Sequence, residues 1–384
     1  MSRSMLKKSK VVLFFLLLFG LTACGGTEEK DNAQKSDVSW DALVFDRSTE
    51  LEYAEKFSID HTEDGYALLR IEQEGDFLIV PEGREIPADV PEDITILQQP
   101  LKNIYLAATS AMDYFCRLDA MDVLRFSGTQ ADGWYIEDAR TAMEQGDILY
   151  AGKYSAPDYE KILAEDCGLA IESTMIYHSP EVKENLEGLG IPVFVDRSSY
   201  EPHPLGRTEW VKVYGILLGK EDVAEELMTK QSEYLKTIEE TEKTEKKVGF
   251  FYVSSRGYVN VRKSGDYVSK MIELAGGEYL FSDLGTEDTA LSTMNLQMEE
   301  FYAAARDADI LIYNSTIDGA LTSEKDFLNQ CPLLADSKAV QNGEVWCTTQ
   351  NMFQETMSIG DMIQELSMVI HGEEGKLEYL YRLH

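Results

Sequence analysis

The chain has 384 residues, of which 35 are Lys or Arg and 69 are Asp or Glu, giving a net charge of −34. So acidic a surface repels nucleic acid and anionic lipid, and any anionic ligand has to be held by local Arg or Lys. The length allows a large core and more than one lobe.

Lys7, Lys8 and Lys10 precede an apolar run from Val11 to Phe19, followed by Leu21-Thr22-Ala23-Cys24. A basic start, a short apolar stretch and small residues make a secretory signal over 1–23, too short for a stop-transfer span. The segment looks like a bacterial lipoprotein box. That resemblance implies cleavage before Cys24, acylation of its thiol, and a place on the extracytoplasmic face of the cell membrane, held there by lipid alone. In an ordinary secreted protein Cys24 would be incidental. Removal of residues 1–23 takes away four positive charges and moves the net charge from −34 to −38. Residues 24–37 are polar and free of aromatics, and are expected to form a disordered tether.

From 38 to 99 the pattern is that of a β-rich extension. Phe57 to Asp60, Tyr66 to Ile71 and Phe77 to Val80 alternate, with turns expected at Asp64-Gly65 and Gly75-Asp76. Pro81, Pro87, Pro91 and Pro100 mark a boundary. Beyond it strands and helices alternate, with strands at Ile104 to Ala107, Val123 to Phe126, Ala170-Ile171, Val193 to Val195, Phe250 to Val253 and Ile310 to Ile312. This rhythm predicts an α/β fold with mostly parallel sheets, whose ligands sit at the carboxyl ends of the strands. Glu221 to Lys247 reads as a long helix with apolar positions at Val223, Leu227, Tyr234, Leu235 and Ile238. Two similar lobes, 100–219 and 247–373, joined by one helix over 220–246 and followed by a tail over 374–384, are expected.

A weak repeat supports the twin lobes. Asp158-Tyr159-Glu160-Lys161-Ile162-Leu163 runs on to a strand ending Ser173-Thr174, and Met298-Glu299-Glu300-Phe301-Tyr302 to one ending Ser315-Thr316. Cys116, Cys167, Cys331 and Cys347 form no CxxC pair; Cys167 and Cys347 sit in apolar segments as expected core residues, and disulfides stay open. The five His residues are scattered without i, i+4 pairs, which disfavours a transition-metal site, and no resident cofactor is expected. No GxSxG, HExxH, Walker A or Rossmann fingerprint is present, so a binding protein is favoured over an enzyme. A secreted hydrolase and an adhesion lipoprotein are the remaining alternatives.

Ser199-Tyr200-Glu201-Pro202-His203-Pro204-Leu205-Gly206-Arg207-Thr208-Glu209-Trp210, Met271 to Phe281 and the two Glu-led helices carry a family resemblance. Over about Leu101 to Gly372 the sequence resembles the substrate-binding lipoproteins of ABC importers for iron–siderophores, heme and cobalamin. The resemblance implies a monomer that captures a metal chelate between its lobes, with a ferric siderophore first and heme or a corrinoid next. It also implies delivery to a permease dimer whose ATPase is a separate subunit. Glu160 and Glu299 are then the residues that dock on permease arginines, with Glu300 the alternative to Glu299 because Phe301 and Tyr302 match Ile162 and Leu163 only when Glu299 is taken. Strand-end loops facing the cleft supply Trp134, Tyr154, Tyr177, Tyr258 and Phe353 as flat apolar area, and Lys153, Arg256 and Arg262 as partners for anionic groups. Arg207 is expected to hold its own loop, and His178 to be a solvated strand-end residue.

Overall fold

Alternation along Phe77-Leu78-Ile79-Val80 sends Phe77 and Ile79 to one face of a sheet and Leu78 and Val80 to the other. A computed structural model of the chain describes residues 38–239, 242–285, 293–317 and 319–384; the signal, the tether and Cys24 lie outside the described residues. The first sheet contains β1 (Arg47–Ser48), β2 (Phe57–His61), β3 (Ala67–Ile71), β4 (Gly75–Val80) and β5 (Ile94–Gln98) in sequential order. Its pairs are antiparallel except β4–β5. The β3–β4 turn falls at Glu72–Glu74, two residues before the expected Gly75-Asp76, and β5 lies in the Pro-rich stretch read as a linker. One face is closed by Val38, Trp40, Leu43 and Phe45, which fold back over Tyr66, Leu78 and Val80. The other merges with the core of the next layer, where Phe57 meets Trp210 edge-on at 5.3 Å and Phe77 meets Phe194 at 5.6 Å.

The second sheet is all parallel. Its elements are β6 (Ile104–Leu106), α1 (Met112–Arg117), β7 (Leu124–Ser127), α2 (Glu137–Gln145), β8 (Leu149–Tyr150), a small hairpin of β9 (Gly152–Lys153) and β10 (Ala156–Pro157), α3 (Tyr159–Ala164), β11 (Ala170–Ser173), α4 (Pro180–Gly188) and β12 (Val193–Asp196). The order β12-β11-β6-β7-β8 puts the switch in direction between β6 and β11.

Three helices follow: α5 (Pro204–Glu209), α6 (Val211–Leu218) and α7 (Glu221–Glu239). The 19 residues of α7 span about 28 Å at ~1.5 Å each. The helix is shorter than the expected 220–246, because residues 242–246 are not helical. Among its described side chains Ala224, Met228 and Ser232 are buried and Leu227 packs partly buried on the core, as the spacing predicts, whereas Val223 is exposed. It packs on α5, α6 and α12. Gly215 makes the α6 contact possible, since a Cβ there would lie 2.7 Å from the Ala224 Cβ.

The second lobe has β13 (Lys247–Val253), β14 (Val259–Arg262), α8 (Tyr267–Leu274), β15 (Glu278–Tyr279), β16 (Thr293–Leu296), α9 (Met298–Ala305), β17 (Ile310–Tyr313), α10 (Glu324–Gln330), α11 (Lys338–Gln341), β18 (Val345–Thr348), α12 (Ile359–His371) and β19 (Leu380–Arg382). The order is β16-β14-β13-β17-β18-β19, with β15 also on β13; β13, β15, β17 and β18 are parallel, β14 and β19 run antiparallel to them, and β16 pairs antiparallel with β14. Of the expected tail 374–384, Leu380–Arg382 join the sheet as β19. In each lobe the Glu-led helix of the repeat, α3 or α9, leads into the strand paired with the lobe's first strand.

Buried carboxylates lock the extension on. Glu209, fully buried, accepts the N–H groups of Glu52, Tyr53 and Ala54 at 2.8–3.1 Å. Glu201 accepts those of Glu55 and Lys56 at 2.8 and 3.0 Å and the Trp210 indole N–H at 2.8 Å. Charge-assisted bonds of this kind contribute about 1.5–3 kcal/mol each, and a buried donor left unpaired costs a similar amount. Glu209→Ala is expected to lower the unfolding free energy by about 2–3 kcal/mol in urea titrations. A loss below ~1 kcal/mol would mean that these N–H groups find other acceptors.

Candidate functional site

Both parallel sheets send their carboxyl-end loops to one seam. Gln354, after β18, accepts the Tyr135 N–H at 2.8 Å and donates to the Gly133 carbonyl at 2.9 Å, both in the loop after β7. Thr356 donates to the Ser110 carbonyl, after β6, at 2.8 Å, and the Met357 N–H donates to Asp113 at 2.7 Å. Asp113 is buried, which raises its carboxyl above the ordinary value, and pairs with Arg117 at 3.2 Å. A strap of residues 351–358 therefore ties the lobes a second time, beside α7.

At the mouth of the seam lies an opening of about 340 Å³, lined by Tyr135 from the first lobe and by Ala320, Thr348, Gln350, Asn351 and Tyr381 from the second. Deeper in, the seam is closed: the space among Arg207, Tyr267, Met271, Phe353 and Thr356 is only about 10 Å³. A wider groove of about 740 Å³ runs between β1–β2 and the start of α7, and none of its lining residues belongs to a carboxyl-end loop of either lobe's sheet.

The rim is aromatic. Tyr135, Met175, Tyr177, Tyr258 and Ile317 stand in carboxyl-end loops and Tyr150 ends β8; they are six of the twelve large apolar side chains exposed among the described residues. Exposed apolar area concentrated on one face marks a binding surface. Lys153, in the β9–β10 hairpin, and Arg256, in the β13–β14 turn, are exposed with no ion pair among the described residues. Tyr154 is half-buried beside Lys153.

Three expected site residues sit differently. Trp134 is fully buried, with its indole N–H on the Ser127 hydroxyl at 3.2 Å, so it packs the core and its neighbour Tyr135 takes the rim. The tight turn over Ala131–Gly133 sets which of the two rings faces out, a phase that composition does not reveal. Arg262 is committed to buried Asp266 at 3.4 Å and lies over the Phe353 ring at 5.2 Å, so both close the base of the seam. Arg207 is buried beside them, its guanidinium 4.6 Å from the Tyr267 ring centre and its Nε without a partner. Sequence reasoning missed this juxtaposition, because α5 and α8 are sixty residues apart. His178 is exposed, as expected. All four described cysteines are free, and no group of metal-ligating residues occurs among the described residues. Cys347 is fully buried and Cys167 half-buried.

Glu160 and Glu299 are both exposed second residues of their helices, α3 and α9. Ile162 and Phe301, two positions on, are both buried, which keeps the two helices in one register. Glu300 is also exposed.

Residues 130–352 match the periplasmic binding protein family. An uncharacterized lipoprotein of Methanocaldococcus jannaschii is 28% identical over 246 residues, 63% of this chain and 57% of that protein, so the chain spans little more than half its length. A second lipoprotein of the same organism is 23% identical, with 86% of each chain covered. Among solved structures, the periplasmic heme binding protein HutB of Vibrio cholerae superposes with a TM-score of 0.56 at 18% identity, covering 69% of this chain and 98% of that one. A periplasmic heme binding protein of Pseudomonas aeruginosa gives 0.58 at 16% identity, covering 74% and 98%. A protein of the Fe3+-hydroxamate transport system of Saccharomonospora viridis gives 0.55 at 17% identity, covering 71% and 93%. These likenesses show the fold, a two-lobed α/β binding protein.

Beneath the rim, Glu172 on β11 is fully buried opposite Val195 and neither carboxyl oxygen has a partner. Burial pushes its carboxyl from 4.5 up to about 8. Between those values the unfolded chain has lost this proton while the folded chain keeps it, so stability falls as pH rises through that window. Glu172→Gln is expected to remove this slope and to raise Tm at pH 8 more than at pH 5. Parallel pH profiles for the two proteins would contradict the burial argument.

Proposed function

Because the chain belongs to the periplasmic binding protein family, we propose that it is the solute-binding component of an ABC importer, capturing a metal chelate at the seam between its lobes. The observation that carries the reading is the aromatic rim of Tyr135, Tyr150, Tyr177 and Tyr258 around the seam. Rings of this kind supply large contact area at low entropy cost, which suits a catechol or a macrocycle. Lys153 and Arg256 stand free beside them in a chain of net charge −34, and support an anionic ligand. A ferric siderophore is the first choice, and solved relatives described by heme binding and by Fe3+-hydroxamate transport support this ligand class. Heme or a corrinoid on the same rim is the second.

The M. jannaschii relatives are named lipoproteins, which supports acylation of Cys24 and a place on the outer face of the cell membrane. The permease dimer would be met by Glu160 and Glu299, whose matched helix positions support one docking carboxylate per lobe. With no phosphate-binding loop in the chain, ATP hydrolysis belongs to another subunit.

Thermal melts with ferrioxamine B, hemin and cyanocobalamin test the ligand class. A ligand at 100 times its Kd contributes about 2.7 kcal/mol to the native state, enough to raise Tm by several degrees. One of the three is expected to do so, and no shift with any of them overturns the chelate reading. For docking, the double variant Glu160→Lys/Glu299→Lys is expected to abolish uptake in cells while the purified protein keeps its ligand affinity. Normal uptake would remove the docking assignment.

A further inference from the structure

The N-terminal extension does not stop at the back of the first lobe. Its β3–β4 turn, Glu72–Glu74, reaches the carboxyl ends of β11 and β12, the strands beside the switch point. There the Glu74 carboxylate accepts the hydroxyl of Tyr177, in the loop after β11, and pairs with Lys183 of α4 at 2.9 Å. The Glu74 side chain is only 5% exposed, so this carboxylate faces protein rather than solvent. From the loop after β12, the Arg197 guanidinium donates to the Glu72 carbonyl at 2.6 Å and to the Gln73 side chain at 2.9 Å. Gln73 itself adopts φ +65°, a left-handed conformation that side chains rarely take, so the turn is held in a specific shape. The turn in turn cannot drift, because Glu201 and Glu209 clamp the backbone of 52–56 just before β2.

We propose that this turn is a third wall of the ligand site, with Glu74 a positioning residue that fixes how Tyr177 meets the ligand. The inference rests on the reading that the carboxyl-end rim binds the solute. The Tyr177 hydroxyl is spent on Glu74, yet the residue stays 45% exposed, so what it offers outward is its ring. Burial first and the bond to Glu74 second hold its phenol above the ordinary value, which keeps the oxygen protonated. Tyr177 therefore recognises a flat or apolar ligand face by stacking, and does not supply a phenolate to a metal.

The test uses Glu74→Ala, Tyr177→Phe, their double variant and Tyr177→Ala. Glu72→Ala is the control, since the Glu72 side chain pairs with Lys56 and not with the rim loops. Two readouts are taken: amide hydrogen exchange of 174–178 and 197–200 in ligand-free protein, and the Kd for hemin, ferrioxamine B and cyanocobalamin from quenching of tryptophan emission. Glu74→Ala is expected to speed exchange in both segments about tenfold and to raise Kd about tenfold, or ~1.4 kcal/mol. The double variant should match Glu74→Ala, because the effects of a shared bond do not add, and Tyr177→Phe should reproduce the part of the loss that runs through the hydroxyl, the remainder coming from the Lys183 pair. Tyr177→Ala should lose more, and the control should match wild type in both readouts. Unchanged exchange in Glu74→Ala overturns the wall whatever binds. Unchanged Kd in Glu74→Ala, for a probe that Tyr177→Ala weakens, overturns the positioning role. Additive losses in the double variant overturn it as well, since they place the hydroxyl on the ligand. Faster exchange with no probe bound by wild type sinks the chelate reading and leaves the wall standing.

Discussion

Buried carboxylates gripping runs of backbone N–H groups are the interaction on which this structure depends. Glu209 and Glu201 hold 52–56, and Glu365 does the same at the other end, accepting the N–H groups of Glu378, Tyr379 and Leu380 at 2.6–3.1 Å. Each grip fixes an extended segment and satisfies donors that burial would otherwise orphan. Burial raises the Glu201 and Glu365 carboxyls, while the donated N–H groups pull them back toward the charged form. An acidic chain thereby uses its commonest charge as an internal fastener. Both ends of the described chain become part of the two lobes: the extension through Glu201 and Glu209, and β19 through Glu365.

The same excess of acid sharpens the binding face. Many cations among the described residues are consumed locally: Arg262 by Asp266, Arg125 by Glu165, Lys338 by Asp309, Arg382 by Glu344. Against that background Lys153 and Arg256 stand out at the rim. Bulk field works against an anionic solute here, so its capture would depend on short-range contacts that outlast screening beyond a Debye length of roughly 8–10 Å. The exposed rings beside them add contact area that no charge term opposes.

The alternation of strand and helix made the twin α/β lobes legible, since period 2 and period 3.6 are written in the apolar residues themselves. The strand-end rule likewise led to the loops that form the rim, Tyr154, Tyr177 and Tyr258 among them. What failed was phase. Trp134 and Tyr135 are adjacent, and a single tight turn decides that the first fills the core and the second faces out. Val223 failed for the same reason, because Gly215 draws α7 in along Ala224 instead. The strap at 351–358, the pairing of Arg262 with Asp266 beside Phe353, and the grip of Glu74 on Tyr177 depend on residues far apart in sequence. No spacing rule reports a contact between positions 74 and 177.

Closure of the seam follows from a small set of bonds. Gln354 contributes two, Thr356 one and Met357 one to Asp113, and such bonds are worth about 0.5–1.5 kcal/mol each between neutral groups and ~1.5–3 to a charged one. Together they amount to a few kcal/mol, the scale on which a ligand shifts an equilibrium, since moving from 1:99 to 99:1 takes about 5.5 kcal/mol of differential affinity. The opening of about 340 Å³ at the rim lies near the lower end of small-molecule sites, so any bulkier ligand would have to loosen the strap to enter more deeply. Meanwhile α7 lies packed along α5, α6 and α12 and is not a free strut. Widening the seam while keeping that packing restricts the lobes to a tilt about the base, where Arg207, Tyr267 and Phe353 leave almost no space to give.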